Sequence, residues 1–292
     1  MKNKQLTNAT PGFVPVLTTE AGSALTVADW ESIGVKTASY HLATLLMKPG
    51  FTLLSQLPSL ASYVGWQGCL VLNASDLVMD GTGNYVVRSQ YDGSTSRYTS
   101  DQVFTLIETL RPDALILPRC ASYQAWCGLT KAIEVFVSLD KASEVISMER
   151  LSGVFVTYDE GTFSLPALLA KRAPYQHLPC YVVGDVRFEL LQMLIAAGIE
   201  WIETNRPARD ALQGVVYCAE GERAINDPAM EMVFQPLDPA CACSTCATGL
   251  TRAYLHHLYA QTPGLSQRFL IQHNAQESVG PISDGEATTD TL

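Results

Sequence analysis

The sequence lacks long hydrophobic runs. No stretch of the 292 residues supplies the ~20 uninterrupted apolar positions that a membrane-spanning helix needs. The opening residues, Met1-Lys-Asn-Lys4, carry none of the apolar character of a secretory signal peptide. Apolar residues still make up 47% of the chain, enough for a sizeable core. We therefore expect a soluble cytoplasmic protein with no membrane span.

Basic residues are also scarce. Lysine and arginine number 19 against 29 acidic residues, which gives a net charge of −10. A chain of this charge repels a phosphate backbone as a whole, so any contact with nucleic acid must be local or shared with a partner. No phosphate-binding motif compensates, because Gly81-Thr-Gly83 is short, is followed by no Lys-Ser/Thr pair and predicts a loop.

Cysteines are sparse except in one place. Three of the eight, Cys241, Cys243 and Cys246, fall close together with no bulky apolar residue between them. A disulfide cluster or free buried thiols are the alternatives, but a reducing compartment favours a metal over disulfides. Structural zinc takes four ligands, and three cysteines with one histidine are a standard set. We therefore predict one structural zinc ion.

The spacing leaves the fourth ligand open among His256, His257 and His273. The other cysteines are predicted to be buried thiols without chemistry; they are Cys69, Cys120, Cys127, Cys180 and Cys218. Beside the cluster, the apolar and aromatic residues of a helical pattern are predicted to pack that helix; they are Tyr254, Leu255 and Leu258.

Short apolar or β-branched runs recur along the chain and predict strands. They are residues 13–16, 35–39, 69–72, 114–117, 153–156, 180–183, 198–202 and 215–217. Helical spacing over residues 100–110 and 185–197 separates some of them. Strands and helices in alternation indicate a parallel sheet, and about eight repeats favour a (β/α)8 TIM barrel. We predict a barrel over residues 1–235, a zinc-binding subdomain over 236–274 and a disordered acidic tail over 275–292.

The chemistry of such a barrel lies at the carboxyl ends of its strands. Carboxylates at or near the predicted strand ends are Asp76, Asp159, Asp185 and Glu203. Together they could form an enzyme site. Aspartates also commonly cap helices and close turns, and Asp185, just before a predicted helix, fits a cap.

The cysteine cluster, with Arg252-Ala-Tyr-Leu-His-His-Leu258 and His273-Asn274, resembles the tRNA-guanine transglycosylase family. Members of that family exchange the wobble guanine of certain tRNAs for a 7-deazaguanine base such as queuine. Further motifs extend the resemblance through nearly the whole chain. They are Thr10-Pro-Gly-Phe-Val-Pro-Val16, Tyr40-His-Leu42, Met47-Lys-Pro-Gly50, Gly65-Trp66, Asp92-Gly-Ser94, Gly198-Ile-Glu-Trp-Ile-Glu203, Pro207-Ala-Arg209 and Pro236-Leu-Asp-Pro239.

The resemblance implies a (β/α)8 barrel with an inserted zinc subdomain, in which His273 is the fourth zinc ligand. It also exposes departures. Asn73 stands where the family has its general base, and an amide takes no proton at neutral pH. Glu203 replaces the nucleophilic aspartate. The segment that recognises the base in the family reads Leu117-Pro-Arg-Cys120 here and lacks the family's acidic acceptor. The segment that lines the base pocket reads Ser152-Gly-Val-Phe-Val-Thr-Tyr158, which puts side chains where the base would approach.

These losses, beside an intact zinc set, predict a chain without catalysis of its own. The pattern resembles the accessory subunits of heterodimeric queuine tRNA-ribosyltransferases in this family. The resemblance implies a heterodimer with a catalytic subunit, tRNA held by the complex, and a location that includes the mitochondrial surface. It also implies further helices after His273, so we expect a shortened C-terminal surface.

Two alternatives remain open. Glu203 is still a carboxylate and could act as the nucleophile of an active transglycosylase. Alternatively, the chain could be a zinc-stabilised interaction protein with no tRNA role. Three arginines are candidates for tRNA phosphate contacts, although exposed arginines are often only solvated surface groups; they are Arg206, Arg209 and Arg252.

Overall fold

A computed structural model describes residues 4–121, 126, 128–145, 151–219 and 221–279. Its strands are β1 (Gly12–Val14), β2 (Thr37–His41), β3 (Cys69–Asn73), β4 (Val78–Met79), β5 (Tyr85–Arg88), β6 (Thr95–Tyr98), β7 (Ala114–Ile116), β8 (Glu134–Ser138), β9 (Leu151–Thr157), β10 (Cys180–Val183), β11 (Trp201–Glu203), β12 (Val215–Cys218) and β13 (Gly221–Ala224).

Eight of these strands form one parallel sheet in the order β1-β11-β10-β9-β8-β7-β3-β2. A parallel bridge between Val16 and Ser39 brings the two edge strands together. Backbone hydrogen bonds support it, from the Ser39 amide to the Pro15 carbonyl and from the Leu17 amide to the Ser39 carbonyl, each 2.9 Å. The sheet is therefore a near-closed barrel, and the predicted (β/α)8 fold is confirmed.

The barrel interior is filled by alternate residues of its strands. Its buried core includes Val71, Ile116, Phe136, Phe155 and Tyr181. Gly153 leaves room for the Phe136 ring, since a Cβ there would lie 2.3 Å from a ring carbon. The interior is thus a packed core without a channel, as expected for a barrel of eight strands.

One predicted barrel strand is wrong and one was missed. Residues 215–217 belong to β12, which pairs antiparallel with β13 in a separate two-stranded sheet. The missing barrel strand is β8, at Glu134–Ser138. The sequence pattern did not indicate β8 because this short apolar run begins with a charged residue, Glu134. In the structure Glu134 is buried and accepts a hydrogen bond from the backbone amide of Thr7.

The helices are α1 (Val27–Ser32), α2 (Leu42–Leu45), α3 (Phe51–Leu54), α4 (Leu60–Val64), α5 (Ser100–Leu110), α6 (Ala142–Val145), α7 (Leu165–Arg172), α8 (Phe188–Ala196), α9 (Arg206–Leu212), α10 (Ser244–Ala247), α11 (Arg252–Gln261) and α12 (Pro263–Val279). The predicted helix over residues 100–110 is confirmed. It begins at a capping box, in which the Thr99 side chain accepts from the Gln102 amide and Gln102 accepts from the Thr99 amide. No helix of the described residues is long and apolar enough to span a bilayer.

The chain divides into two compact units. The first, the barrel unit, comprises Met1–Ser23 and Val35–Arg206. The second, the cysteine unit, comprises Ala24–Gly34 and Pro207–Leu292. The predicted tail begins too early, because α12 continues to Val279 and Ala275 is fully buried. Residues 280–292 of the predicted tail lie outside the described residues, and the domain boundary at residue 235 stays a prediction.

Candidate functional site

Glu203 lies at the carboxyl end of β11, where a barrel enzyme would hold its chemistry. Its side chain is 1% exposed. Its Oε1 accepts hydrogen bonds from His41 Nε2 and Asn73 Nδ2, each at 2.7 Å. Its Oε2 accepts from the Tyr181 hydroxyl at 2.9 Å. Both carboxylate oxygens are therefore occupied by donors of the protein itself.

Neighbouring strands supply these donors. His41 ends β2 and lies in register with Asn73 at the end of β3. Asn73 is buried, and its Oδ1 accepts from the Ser75 amide at 2.8 Å. The Asn73 amide is thus held at both ends, by Glu203 and by Ser75. It orients a carboxylate and has no capacity to act as a base.

His41 joins two carboxylates. Its Nδ1 lies 2.9 Å from Asp76 Oδ2, while its Nε2 contacts Glu203. Burial alone would lower the pKa of His41, but the Glu203 charge and the hydrogen bonds to both carboxylates outweigh burial and raise the pKa to about 10. The hydrogen bond from His41 lowers the pKa of Asp76 against the opposing effect of burial. At neutral pH the group is an imidazolium between two carboxylates.

This arrangement predicts a loss of stability in alkali. A histidine whose pKa is raised on folding stabilises the fold fully below its unfolded value of ~6.5, and the contribution disappears as the pH rises through the folded value. We expect the free energy of unfolding to fall by about 3–4 kcal/mol between pH 7 and 10. Urea unfolding across this range tests it. His41→Gln should show a smaller decline, and equal declines in both proteins would contradict the assignment.

The other predicted carboxylates do not join Glu203. Asp159 accepts from the Gly161 amide and the Thr162 hydroxyl, so it closes a turn as the alternative interpretation held. Asp185 pairs with Arg206 at 3.6 Å, and the residue at the N-cap of α8 is Arg187. The predicted cap at Asp185 is therefore wrong.

The segment in which the sequence predicts loss of the base pocket ends at Tyr158. Tyr158, at the end of β9, is 8% exposed and packs against the Phe163 ring, with centroids 5.0 Å apart. A Cβ at Gly184 would lie 2.8 Å from the Tyr158 Cβ, so Tyr158 directly abuts the end of the neighbouring strand. An aromatic side chain therefore fills space between two strand ends.

Sequence reasoning missed His41 and Tyr181 as parts of this group. His41 falls inside the motif Tyr40-His-Leu42, but the predicted strand stopped at residue 39 and placed it beyond the strand end. Reading that strand two residues further would have found it beside Asn73. Tyr181 carries no such signal, because a tyrosine within an apolar strand is ordinary core composition.

The four predicted zinc ligands converge in the cysteine unit. The ligand atoms of Cys241, Cys243, Cys246 and His273 all lie within 4.8 Å of one another. Cys243 Sγ and Cys246 Sγ lie 3.6 and 3.5 Å from His273 Nδ1. A tetrahedral ion with Zn–S of ~2.3 Å and Zn–N of ~2.0–2.1 Å would place sulfur and nitrogen about 3.5–3.6 Å apart. The residues therefore fit a tetrahedral metal ion.

Local structure arranges the thiols. Cys243 is the N-cap of α10, and its sulfur accepts from the Cys246 amide at 3.3 Å. Cys241 Sγ accepts from the Cys243 amide at 3.5 Å. Backbone amides directed at sulfur stabilise thiolates, which are the metal-binding form. The short spacing in the sequence thus folds into a turn that gathers three sulfurs.

The structure separates the three candidate histidines. His273 Nε2 lies 2.6 Å from the Tyr217 carbonyl, which fixes the tautomer that leaves Nδ1 free to bind a metal. Asn274 holds α12 against β12 by accepting from the Tyr217 amide and donating to the Val215 carbonyl. His256 contacts the Ile225 carbonyl, and His257 is exposed. Neither belongs to the metal-binding group found among the described residues.

The candidate RNA-binding arginines differ in placement. Arg252 is 9% exposed and donates to the carbonyls of Pro236 and Leu237, so it fixes the segment before the cysteines. Arg206 is 22% exposed and pairs with Asp185. Arg209 is half-buried. Only the last two retain exposed surface.

Two further predictions about side chains need correction. Cys120 is exposed and therefore is not a buried thiol, whereas Cys69, Cys180 and Cys218 are buried as predicted. Cys127 lies outside the described residues. Leu255 and Leu258 pack inside the cysteine unit as predicted, but Tyr254 is 48% exposed because it lies on the solvent side of α11.

The sequence model for queuine tRNA-ribosyltransferase matches residues 152–280. Curated relatives of the same name cover more of the chain. A queuine tRNA-ribosyltransferase of Sorangium cellulosum is 26% identical over 91% of this chain and 78% of its own length. Those of Caldanaerobacter subterraneus and Desulfosudis oleivorans are 23% and 24% identical over 91% and 96% of this chain, and over 82% and 85% of their own lengths. With the barrel and the metal-binding group on the same chain, these matches support the resemblance to the tRNA-guanine transglycosylase family.

Proposed function

We propose that this chain is the non-catalytic accessory subunit of a heterodimeric queuine tRNA-ribosyltransferase. In this role it supports tRNA binding and the catalytic partner while the partner exchanges wobble guanine for queuine. The observation that carries the proposal is the closure of Glu203: its side chain is 1% exposed, and three donors occupy its two oxygens.

A nucleophile must reach the sugar carbon that it attacks. Misplacement by ~1 Å can cost on the order of 10²-fold in rate. Glu203 would have to break its hydrogen bonds to His41, Asn73 and Tyr181 and leave its buried position before reaching a ribose. That demand, together with an amide in place of the general base, opposes catalysis by this chain alone.

A partner surface is available on the cysteine unit. Met232, Phe234 and Tyr254 are 72%, 69% and 48% exposed. The Ala253 amide donates to the Val233 carbonyl at 2.9 Å, which brings the strip that contains Met232 and Phe234 beside Tyr254. Exposed apolar groups of this kind favour association, and we propose that the catalytic subunit covers them.

The same proposal assigns zinc to the four converging ligands, because three thiolates and one imidazole in tetrahedral spacing suit Zn²⁺. A closed set of four protein ligands leaves no open position for substrate, so the ion is structural. For tRNA phosphates we retain Arg206 and Arg209. We assign Arg252 to holding the backbone of the zinc segment, since its guanidinium is already engaged there.

Guanine exchange into tRNA tests the proposal. The purified chain alone should give no exchange, and adding the catalytic subunit from the same organism should give activity above that of the catalytic subunit alone. Glu203→Gln in this chain should leave the activity of the complex within about twofold. Exchange by the isolated chain would overturn the proposal.

A second candidate function has support of its own. Every relative described above is named as the enzyme, and Glu203 keeps a carboxylate at the end of β11. If Glu203 is a nucleophile, this chain alone should form a covalent adduct with tRNA, and Glu203→Gln should abolish it. A complex whose partner lacks its own catalytic aspartate then separates the two: residual exchange would favour the active enzyme.

A further inference from the structure

A cleft in the barrel unit lies between the turn after α2 and the hairpin formed by β5 and β6. Its volume is about 190 Å³. Both walls belong to segments that leave the barrel after the carboxyl ends of β2 and β3, the strands that carry His41 and Asn73. The segments that line the cleft therefore leave the barrel at the same end at which Glu203 lies.

An aromatic ring and an ammonium group meet at this cleft. Lys48 Nζ lies 3.4 Å from the centroid of the Tyr91 ring. Both side chains are exposed, and Tyr91 is 64% exposed. The ammonium rests against the face of a ring, an attraction that is weak at an exposed site. A ligand could therefore separate Lys48 from the Tyr91 ring and contact both groups with little loss of interaction energy.

The rest of the lining is polar on one side and apolar on the other. Ser94 and Ser96, with Asp92, line the hairpin wall, while Met47 and Val87 supply apolar contact. Asp92 accepts from the Ser94 amide and hydroxyl. Hydrogen bonds from Ser89 and Ser94 lower the pKa of Asp92 to about 2, so it is ionised at neutral pH. A ligand in the cleft would therefore meet serine hydroxyls, one negative charge at Asp92 and one positive charge at Lys48.

A nucleotide satisfies this combination. Bases of single-stranded RNA stack on exposed aromatic rings, and phosphates attract lysine. Ribose hydroxyls can donate to Asp92 and exchange hydrogen bonds with the serines. The volume is below the ~300–1,000 Å³ of pockets for drug-sized ligands, which suits one base or sugar rather than a larger group.

We propose that the cleft between Lys48 and Tyr91 binds one unpaired nucleotide of the tRNA, with the base on Tyr91 and the adjoining phosphate at Lys48. This inference rests on the proposed function, since it assumes that the chain contacts tRNA. It adds a contact to a chain whose net charge of −10 gives little general attraction for RNA.

The test is the affinity of the full-length chain, with and without its catalytic partner, for a fluorescently labelled tRNA transcript that carries guanine at the wobble position. Stacking on one aromatic side chain contributes ~1–3 kcal/mol, so Tyr91→Ala should weaken binding about 5- to 150-fold. Tyr91→Phe keeps the ring and should bind as the unsubstituted chain does. Lys48→Ala should weaken binding several-fold and reduce the salt dependence by about one phosphate contact.

Lys131→Ala is the matched control, because Lys131 is also exposed but precedes β8, at the amino end of that strand. It should leave affinity unchanged. Thermal unfolding of each variant reports whether the fold is retained. If Tyr91→Ala and Lys48→Ala bind tRNA as tightly as the unsubstituted chain, the nucleotide site is wrong and the proposed function stands. If neither the unsubstituted chain nor its complex contacts tRNA, both are wrong.

Discussion

Replacing Cys243 with serine is expected to abolish metal binding and unfold the cysteine unit. A structural zinc ion contributes an apparent ~10–16 kcal/mol in small zinc domains, as much as or more than the ~5–15 kcal/mol by which whole domains are stable. Cys243 is both a predicted ligand and the N-cap of α10, so its loss would remove one sulfur and loosen the turn that orients the others. Elemental analysis of protein prepared under reducing conditions should find one metal equivalent in the unsubstituted chain and far less than one in Cys243→Ser.

Cys120→Ser provides the control, because Cys120 is exposed and stands outside the metal-binding group. It should keep the full metal content. Hydrogen exchange gives a second measurement: chelation should remove protection from α10 and from α12 around His273. A cysteine unit that stays protected after complete removal of metal would show that the thiols pack the fold without needing an ion.

Replacing Glu203 with alanine is expected to lower the free energy of unfolding of the barrel unit by about 3–5 kcal/mol. The substitution removes one of the two carboxylate partners of the half-buried His41 imidazolium and leaves the Asn73 amide and the Tyr181 hydroxyl without their acceptor. Glu203→Gln retains an oxygen acceptor and the side-chain volume, so it should cost less, about 1–3 kcal/mol. Chemical denaturation followed by tryptophan fluorescence measures both, since Trp66 and Trp201 are buried in this unit.

Glu189→Ala is the matched control, because Glu189 is an exposed carboxylate on α8 of the same unit. A surface substitution of this kind should stay within about 0.5 kcal/mol. If Glu203→Ala is equally mild, the buried network does not stabilise the barrel. Glu203 would then be free to move, and the case for an active nucleophile would strengthen.

The two expected effects concern different units of the chain. At the carboxyl end of the barrel, groups that an enzyme would present to substrate bind one another instead. In the cysteine unit, the four side chains that could hold a metal ion have their ligand atoms close to a common centre.

Much of the fold was predictable from residue patterns. Recurring β-branched runs gave the barrel, and the capping box at Thr99 with helical spacing after it gave α5 correctly. The strand count was right although one member was wrong, because Val215–Cys218 has the composition of a barrel strand but pairs with Gly221–Ala224. The composition of a strand indicates that it is buried, whereas the strand with which it pairs depends on the rest of the chain.

The sequence by itself determined the chemistry that is available: three thiols close together, an amide at Asn73 and a carboxylate at Glu203. The family resemblance implied that these two residues stand where a base and an aspartate would be. The spacing of the residues could not decide which histidine meets the thiols, because the placement of α11, which carries His256 and His257, and of α12, which carries His273, depends on packing. The family resemblance alone implied His273. Only the tertiary structure brought His273 to the sulfurs and His41 between Asp76 and Glu203, since both meetings join atoms on elements that are distant along the chain. It also showed that Arg252 bonds to the backbone and that Tyr254 is exposed, because the direction of a side chain depends on which face of its helix is buried.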